Sequence, residues 1–117
     1  MNNELKKITF REFLRWLFRL RRRVRVSGNS MLPLLKPGDE VLVDPKAYRQ
    51  ARPRPGDIVI AQHPRRTNLH VIKRVVTVTE NGNCILKGDN PSESTDSRTF
   101  GPVSPKQILG RVTGRFS

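Results

Sequence analysis

The strongest constraint on the fold is a turn written twice. Lys36-Pro37-Gly38-Asp39 runs into Glu40-Val41-Leu42-Val43, and eighteen residues further on Arg54-Pro55-Gly56-Asp57 runs into Ile58-Val59-Ile60-Ala61. Proline presets the first central position of a turn and glycine takes the positive φ of the second, so each Pro-Gly-Asp reverses the chain into a β-rich run. Two copies of a turn do not make a repeat architecture, but they commit the middle of the chain to short strands. Leu69 to Thr79 and Cys84 to Lys87 flank Asn81-Gly82, a strong hairpin signal, and Ile108 to Thr113 supplies a further strand. Tyr48 to Pro55, with three Arg and two Pro, reads as an exposed loop, and Pro64 to Asn68 as a polar turn. The expected fold is mainly β: a small, compact, mainly antiparallel domain.

The front of the chain has a different period. Phe10, Phe13, Leu14, Leu17 and Leu20 recur at helical spacing, with Arg11, Arg15, Arg19 and Arg22 on another side. This predicts a basic amphipathic helix over about residues 9–21. The division that follows is residues 1–23 as helix and 24–117 as β domain. The longest apolar run here is Trp16-Leu17-Phe18, far short of the roughly 20 residues of a transmembrane span and of the apolar centre of about 7–15 residues in a secretory signal. Such a helix either lies on an anionic lipid surface or partner, or covers its own domain and leaves its arginines in water.

Charge narrows the partners. The 117 residues carry 23 Lys plus Arg against 10 Asp plus Glu, a net +13, which favours nucleic acid, anionic lipid or an acidic protein. Residues 1–26 hold nine basic and two acidic residues, so over half of that excess sits in under a quarter of the chain. A nucleic-acid binding module is the reading from a different functional class. Against it, Phe10, Phe13, Trp16 and Phe18 all fall in the predicted helix, leaving the strands poorly supplied with stacking platforms. Cys84 is the only cysteine, which excludes an intrachain disulfide and a cysteine zinc cluster, and suits a small core residue. With 35% hydrophobic residues the chain supports one small core, not a multidomain enzyme.

Three segments carry groups that can do chemistry. In Ser27-Gly28-Asn29-Ser30-Met31-Leu32-Pro33, Ser30 sits in a turn that turns its hydroxyl and backbone N–H outward; a serine nucleophile needs a base at hydrogen-bond distance. In Leu69 to Val78, strand alternation puts Lys73 on one face with Val71, Val75 and Thr77, and His70, Ile72, Arg74 and Val76 on the other. An ammonium among valines loses hydration, which favours the neutral amine that a lysine base requires. Arg74 reads as a surface charge. His63 precedes Pro64 in a turn and His70 falls opposite Lys73, which argues against a Ser/His pair. The third segment, Gly88 to Val103, is irregular and rich in hydroxyl and charged groups, a length of loop that in a small domain is usually functional or disordered. There Ser94 can orient an amine, and Asp96 and Arg98 can pair.

The ordered set Ser-Gly-Asn-Ser-Met-Leu-Pro, Pro-Gly-Asp-x-Val, Lys-Arg-Val-Val, Gly-Asp-Asn-Pro with Ser-Thr-Asp-Ser-Arg, and Phe-Gly-Pro-Val resembles the type I signal peptidase family, from about Val26 to Arg111. The resemblance implies a signal-peptidase-like β fold and a serine endopeptidase with a Ser/Lys dyad, needing no metal or cofactor. It makes Ser30 the nucleophile and Lys73 the general base, and gives the Ser30 backbone N–H to the oxyanion hole. Ser94 would hydrogen-bond the lysine amine, and Asp96 and Arg98 would form a structural salt bridge near the site. Some members add an oxyanion donor from a serine two residues before the nucleophile, where this chain has Gly28. Family members carry membrane spans before the nucleophile and often an extra β domain; here only 42 residues separate Ser30 from Lys73. In that brevity the chain is similar to the branch that matures nickel-type superoxide dismutase by removing an N-terminal propeptide. The resemblance thus implies a protein or peptide substrate, with the nickel superoxide dismutase precursor as candidate. The expected location is cytoplasmic, with contact at a membrane surface through the helix.

Overall fold

A computed structural model describes residues 5–90 and 101–116. One helix, α1 (Phe10–Leu17), precedes six strands: β1 (Arg22–Arg25), β2 (Glu40–Asp44), β3 (Ile58–Gln62), β4 (His70–Val78), β5 (Cys84–Lys87) and β6 (Ile108–Arg115). They form one antiparallel sheet in the order β1-β2-β6-β3-β4-β5. The mainly β, antiparallel expectation therefore holds.

Both Pro-Gly-Asp turns are built alike. Gly38 and Gly56 take φ of 91° and 95°, and the aspartate after each closes the turn twice. The Asp39 N–H donates to the Lys36 carbonyl at 3.0 Å while its carboxylate accepts the Lys36 N–H at 2.9 Å. Asp57 does the same with Arg54, both bonds at 3.0 Å. The conformational freedom of glycine and the short reach of aspartate thus deliver β2 and β3 from equivalent corners.

β3 explains its own composition. Ile58 and Ile60 join a core cluster with Val26, Met31, Leu35, Val41, Val43 and Val112, whereas Val59 and Ala61 join a second one with Val75, Cys84, Leu86 and Val103. A strand buried on both faces needs an unbroken apolar run, not an alternating one. Cys84 is fully buried, as expected of a core residue. Tyr48 departs from the exposed-loop expectation: it packs on the second cluster and its hydroxyl donates to Asp57 at 2.7 Å. Among the described residues no helix is long and apolar enough to cross a membrane.

The helix is shorter than the sequence pattern predicts, and of the two placements left open for its apolar stripe it does not take the one against its own domain. It spans Phe10–Leu17, not 9–21. Thr9 caps it, its hydroxyl accepting the Glu12 N–H at 3.1 Å. It ends where Arg19 adopts φ 65°, with Arg19 N–H bonded to the Trp16 carbonyl and Leu20 N–H to the Arg15 carbonyl. That is a Schellman cap, a position where glycine is usual; an arginine there hides the stop from sequence. The basic run beyond it becomes edge strand β1, register-paired with β2 from Arg22–Val43 to Arg25–Glu40.

The apolar stripe does not cover the domain. Phe10 is 76% exposed and Leu17 57%, while Glu12 is 8% exposed. Glu12 accepts from Arg15 at 3.1 Å and from Arg21 at 3.0 Å, and Arg21 lies 3.6 Å from Asp44. Burial alone would raise the Glu12 pKa, but hydrogen bonds with Thr113, Arg21 and Arg15 outweigh it and hold the carboxyl below its ordinary value. On the other flank Trp16 packs edge-on against Phe116, and the Arg23 guanidinium lies 4.2 Å from the Phe116 ring centre while pairing with Glu40. The helix is thus docked by a polar anchor and one aromatic contact, leaving its apolar face in water.

Glu12→Gln should lower unfolding stability by about 1–2 kcal/mol, the cost of leaving the largely buried Arg21 only its longer 3.6 Å approach to Asp44 for a charged partner. Because the folded pKa of Glu12 is depressed, its contribution is complete above the ordinary value of 4.5 and fades as pH falls through the folded value. Denaturation at pH 7 and pH 3 checks both: the gap between the two proteins narrows in acid.

Candidate active site

The Ser27 to Ser30 turn is an exposed crest between buried footings. Val26 before it is 4% exposed, Met31 after it 1% and Leu35 0%. Met31 and Leu35 are joined by the bond from the Leu35 N–H to the Met31 carbonyl at 2.9 Å, and Leu32 N–H reaches back to the Asn29 carbonyl at 3.2 Å. The segment that must project is thereby fastened at each end by side chains that must not.

A second fastening comes from sixty residues away. The Asn90 backbone N–H donates to the Ser30 carbonyl at 2.8 Å, and its side-chain amide donates to the Asn29 carbonyl at 3.0 Å. Its neighbour Asp89 receives a fork from Arg74, Nε to Oδ1 at 2.9 Å and Nη2 to Oδ2 at 2.8 Å, while Arg74 Nη1 donates to the Gly56 carbonyl at 3.2 Å. Arg74 is therefore no surface charge; the ion pair raises its pKa and fixes its plane. The clamp links strand β4 to the serine turn. The sequence places Arg74 in Lys-Arg-Val-Val and Asp89 and Asn90 in Gly-Asp-Asn-Pro, but gives no sign that these two motifs grip each other.

Lys73 lies in mid β4 opposite Val59, whose exposure is 0%, and is itself only 3% exposed. Val75 beside it is buried and Val71 packs on the second core cluster, as the alternation predicted. Thr77 departs from it: a register shift between Val75 and Thr77 leaves Val76 and Thr77 both exposed.

Ser30 and Lys73 line one cavity of about 460 Å³. Ser27, Met31, Val26, Ile60 and Ile72 contribute to its wall, so Met31 both packs and lines. Arg22 and Arg25 of β1 and Leu69 to Ile72 at the start of β4 also line it, although three strands separate β1 from β4 in the sheet. His70, expected opposite Lys73, also lines this cavity: it begins β4 and is exposed, so alternation along the strand does not bar it from the opening. His63 is elsewhere engaged, its Nδ1 accepting the backbone N–H groups of Arg65 at 3.0 Å and Arg66 at 3.2 Å. Burial, then the charges of Arg66 and Arg65, push its pKa down, which suits an acceptor nitrogen in a turn. Ser94, Asp96 and Arg98 lie outside the described residues. Among the described residues no cluster of His, Cys, Asp and Glu is suited to a metal ion.

The chain aligns with mitochondrial inner membrane protease subunit 1 of Xenopus tropicalis at 31% identity, covering 74% of this chain and 63% of the relative. It is 34% identical to mitochondrial ATP-independent inner membrane protease subunit 1b of Arabidopsis thaliana, covering 75% and 65%. Against mitochondrial inner membrane protease subunit 2 of Danio rerio the identity is 34%, covering 80% and 60%. The chain thus spans just under two thirds of the length of these relatives. The family profile described as signal peptidase, peptidase S26, matches residues 13–79 and 79–117, taking in the serine turn, the lysine strand and the Asp89-Asn90 clamp together. With its motifs, sheet and match all agreeing over that span, the chain belongs to peptidase S26, the signal peptidase family.

Proposed function

We propose that the protein is a serine endopeptidase in which Ser30 is the nucleophile and Lys73 the general base. The observation that carries this reading is the cavity shared by Ser30 and a nearly fully buried lysine. A buried amine is driven toward its neutral form, and a neutral amine can take the hydroxyl proton as Ser30 Oγ attacks a peptide carbonyl. The tetrahedral oxyanion is met by the Ser30 backbone N–H; Ser27, which lines the same cavity, stands close in sequence where a second donor is wanted. The lysine ammonium returns its proton to the leaving amine, and water, deprotonated by the same amine, then hydrolyses the acyl-enzyme. On this reading Ser94 orients the amine, and Asp96 and Arg98 brace the loop that carries it. The substrate enters extended along the free edge of β1, as peptides do on open sheet edges.

The substrate proposed is a protein with an N-terminal leader or propeptide, with the nickel superoxide dismutase precursor as candidate. A second reading, trimming of exported proteins at a membrane, draws on the exposed Phe10, Leu17, Phe18 and Leu20 beside the basic run and on relatives named for an inner membrane. An apolar face rimmed by arginine suits an anionic lipid interface.

Incubated with a leader-bearing nickel superoxide dismutase precursor, the protein should shorten it at one site. Ser30→Ala and Lys73→Met should each cut the rate by roughly 10⁴-fold or more while circular dichroism stays native. His70→Gln should retain cleavage. Normal processing by either dyad variant removes the dyad, and loss only in His70→Gln hands the base role to histidine. The cleavage rate should decline as pH is lowered, because protonation of Lys73 removes the base; a rate constant through the acid range excludes a lysine base. Flotation with vesicles rich in anionic lipid should carry the protein upward, and Phe10→Ser with Leu17→Ser should leave it at the bottom. Equal flotation of both forms takes the helix face out of membrane binding.

A further inference from the structure

The four arginines from Arg21 to Arg25 divide into two sets. Arg21 is spent on Glu12 and Asp44, and Arg23 on Glu40 and the rings of Trp16 and Phe116. Arg22 and Arg25 make no ion pair among the described residues; Glu40, the register partner of Arg25, closes its bond on Arg23 and feels Arg25 only through its charge. Both arginines are exposed, and both are among the residues that line the cavity shared by Ser30 and Lys73. His70 lines it too, and among the described residues no aspartate or glutamate does. A cleft lined by one sign of charge focuses its field on whatever enters.

We infer that Arg22 and Arg25 read carboxylates on the substrate, so that the cavity selects a peptide with Asp or Glu close to the scissile bond. The inference rests on the protease reading above and adds a specificity to it. Arg22 and Arg25 are three residues apart on an edge strand, about 10 Å along an extended backbone. A peptide laid on that edge therefore meets both with side chains a few residues apart. Guanidinium takes carboxylate by a two-point fork, which a lone solvated charge cannot offer. At an open cleft this pairing is sensitive to salt.

The test uses three peptides of equal length around one cleavable bond, flanked by glutamate, glutamine or lysine. Wild type should cleave the glutamate peptide with kcat/KM about tenfold above the glutamine one, with lysine lowest. The advantage should shrink toward unity near 1 M salt, where the screening length is about 3 Å. Charge reversal, Arg22→Glu with Arg25→Glu, should invert the order and put lysine first. An order unchanged by reversal, or indifferent to salt, overturns the proposal. Fluorescence anisotropy of the same peptides on the Ser30→Ala form separates the two readings. Glutamate binding tightest without cleavage by wild type keeps the rim and sinks the protease; cleavage with no binding preference keeps the protease and sinks the rim.

Discussion

The geometry of the site depends on one crossing: the backbone of Asn90 bound to the carbonyl of Ser30. Each residue of the Ser27 to Ser30 turn loses conformational entropy on ordering, so a bond from outside that fixes its carbonyls counts for much. The apolar footings at Val26, Met31 and Leu35 set its ends but not its tip. Asn90 sets the tip, and Asn90 is placed because Arg74 grips Asp89 with two charge-assisted bonds. The arginine next in sequence to Lys73 therefore governs where the serine stands. Since successive strand residues point to opposite faces, β4 can offer one side chain to the cavity and the next to the clamp without either giving way.

What was legible in the sequence was what depends on near neighbours. The two Pro-Gly-Asp corners, the Asn81-Gly82 hairpin and the strands they feed follow from turn chemistry within four residues. The burial of Lys73 follows from alternation around Val71 and Val75. Legibility stopped where a residue chooses a distant partner. Arg74 looked like a solvated charge because Asp89 is fifteen positions on. The helix looked longer because an arginine occupies the left-handed cap position. Its placement stayed open because amphipathicity records which face is apolar, not whether that face finds a core. Alternation set His70 on the face opposite Lys73, yet both faces of β4 contribute to the cavity, which takes in His70, Val71, Ile72 and Lys73.

The helix shows how the local rule was overruled. Burying Phe10 and Leu17 would release solvent from apolar surface, a gain of about 1.5–3 kcal/mol each for full burial. The observed docking forgoes this. Instead it satisfies Glu12 with Arg15, Arg21 and Thr113 and sets Trp16 against Phe116. The helix meets Thr113 of β6 and Arg21 beside Asp44, the last residue of β2, and presents a polar residue to them.

The same accounting applies to charge. Among the described residues Asp39 and Asp57 close turns, Asp44 accepts from the Lys46 backbone and lies near Arg21, and Glu12, Glu40 and Asp89 hold arginines. Glu80 aside, each carboxylate there is committed to architecture. Few acids are thus left over for the remaining cations of a chain that carries +13. Arg22 and Arg25 are among those cations, on the strand that follows the helix directly because the left-handed Arg19 turns the chain sharply from α1 into β1.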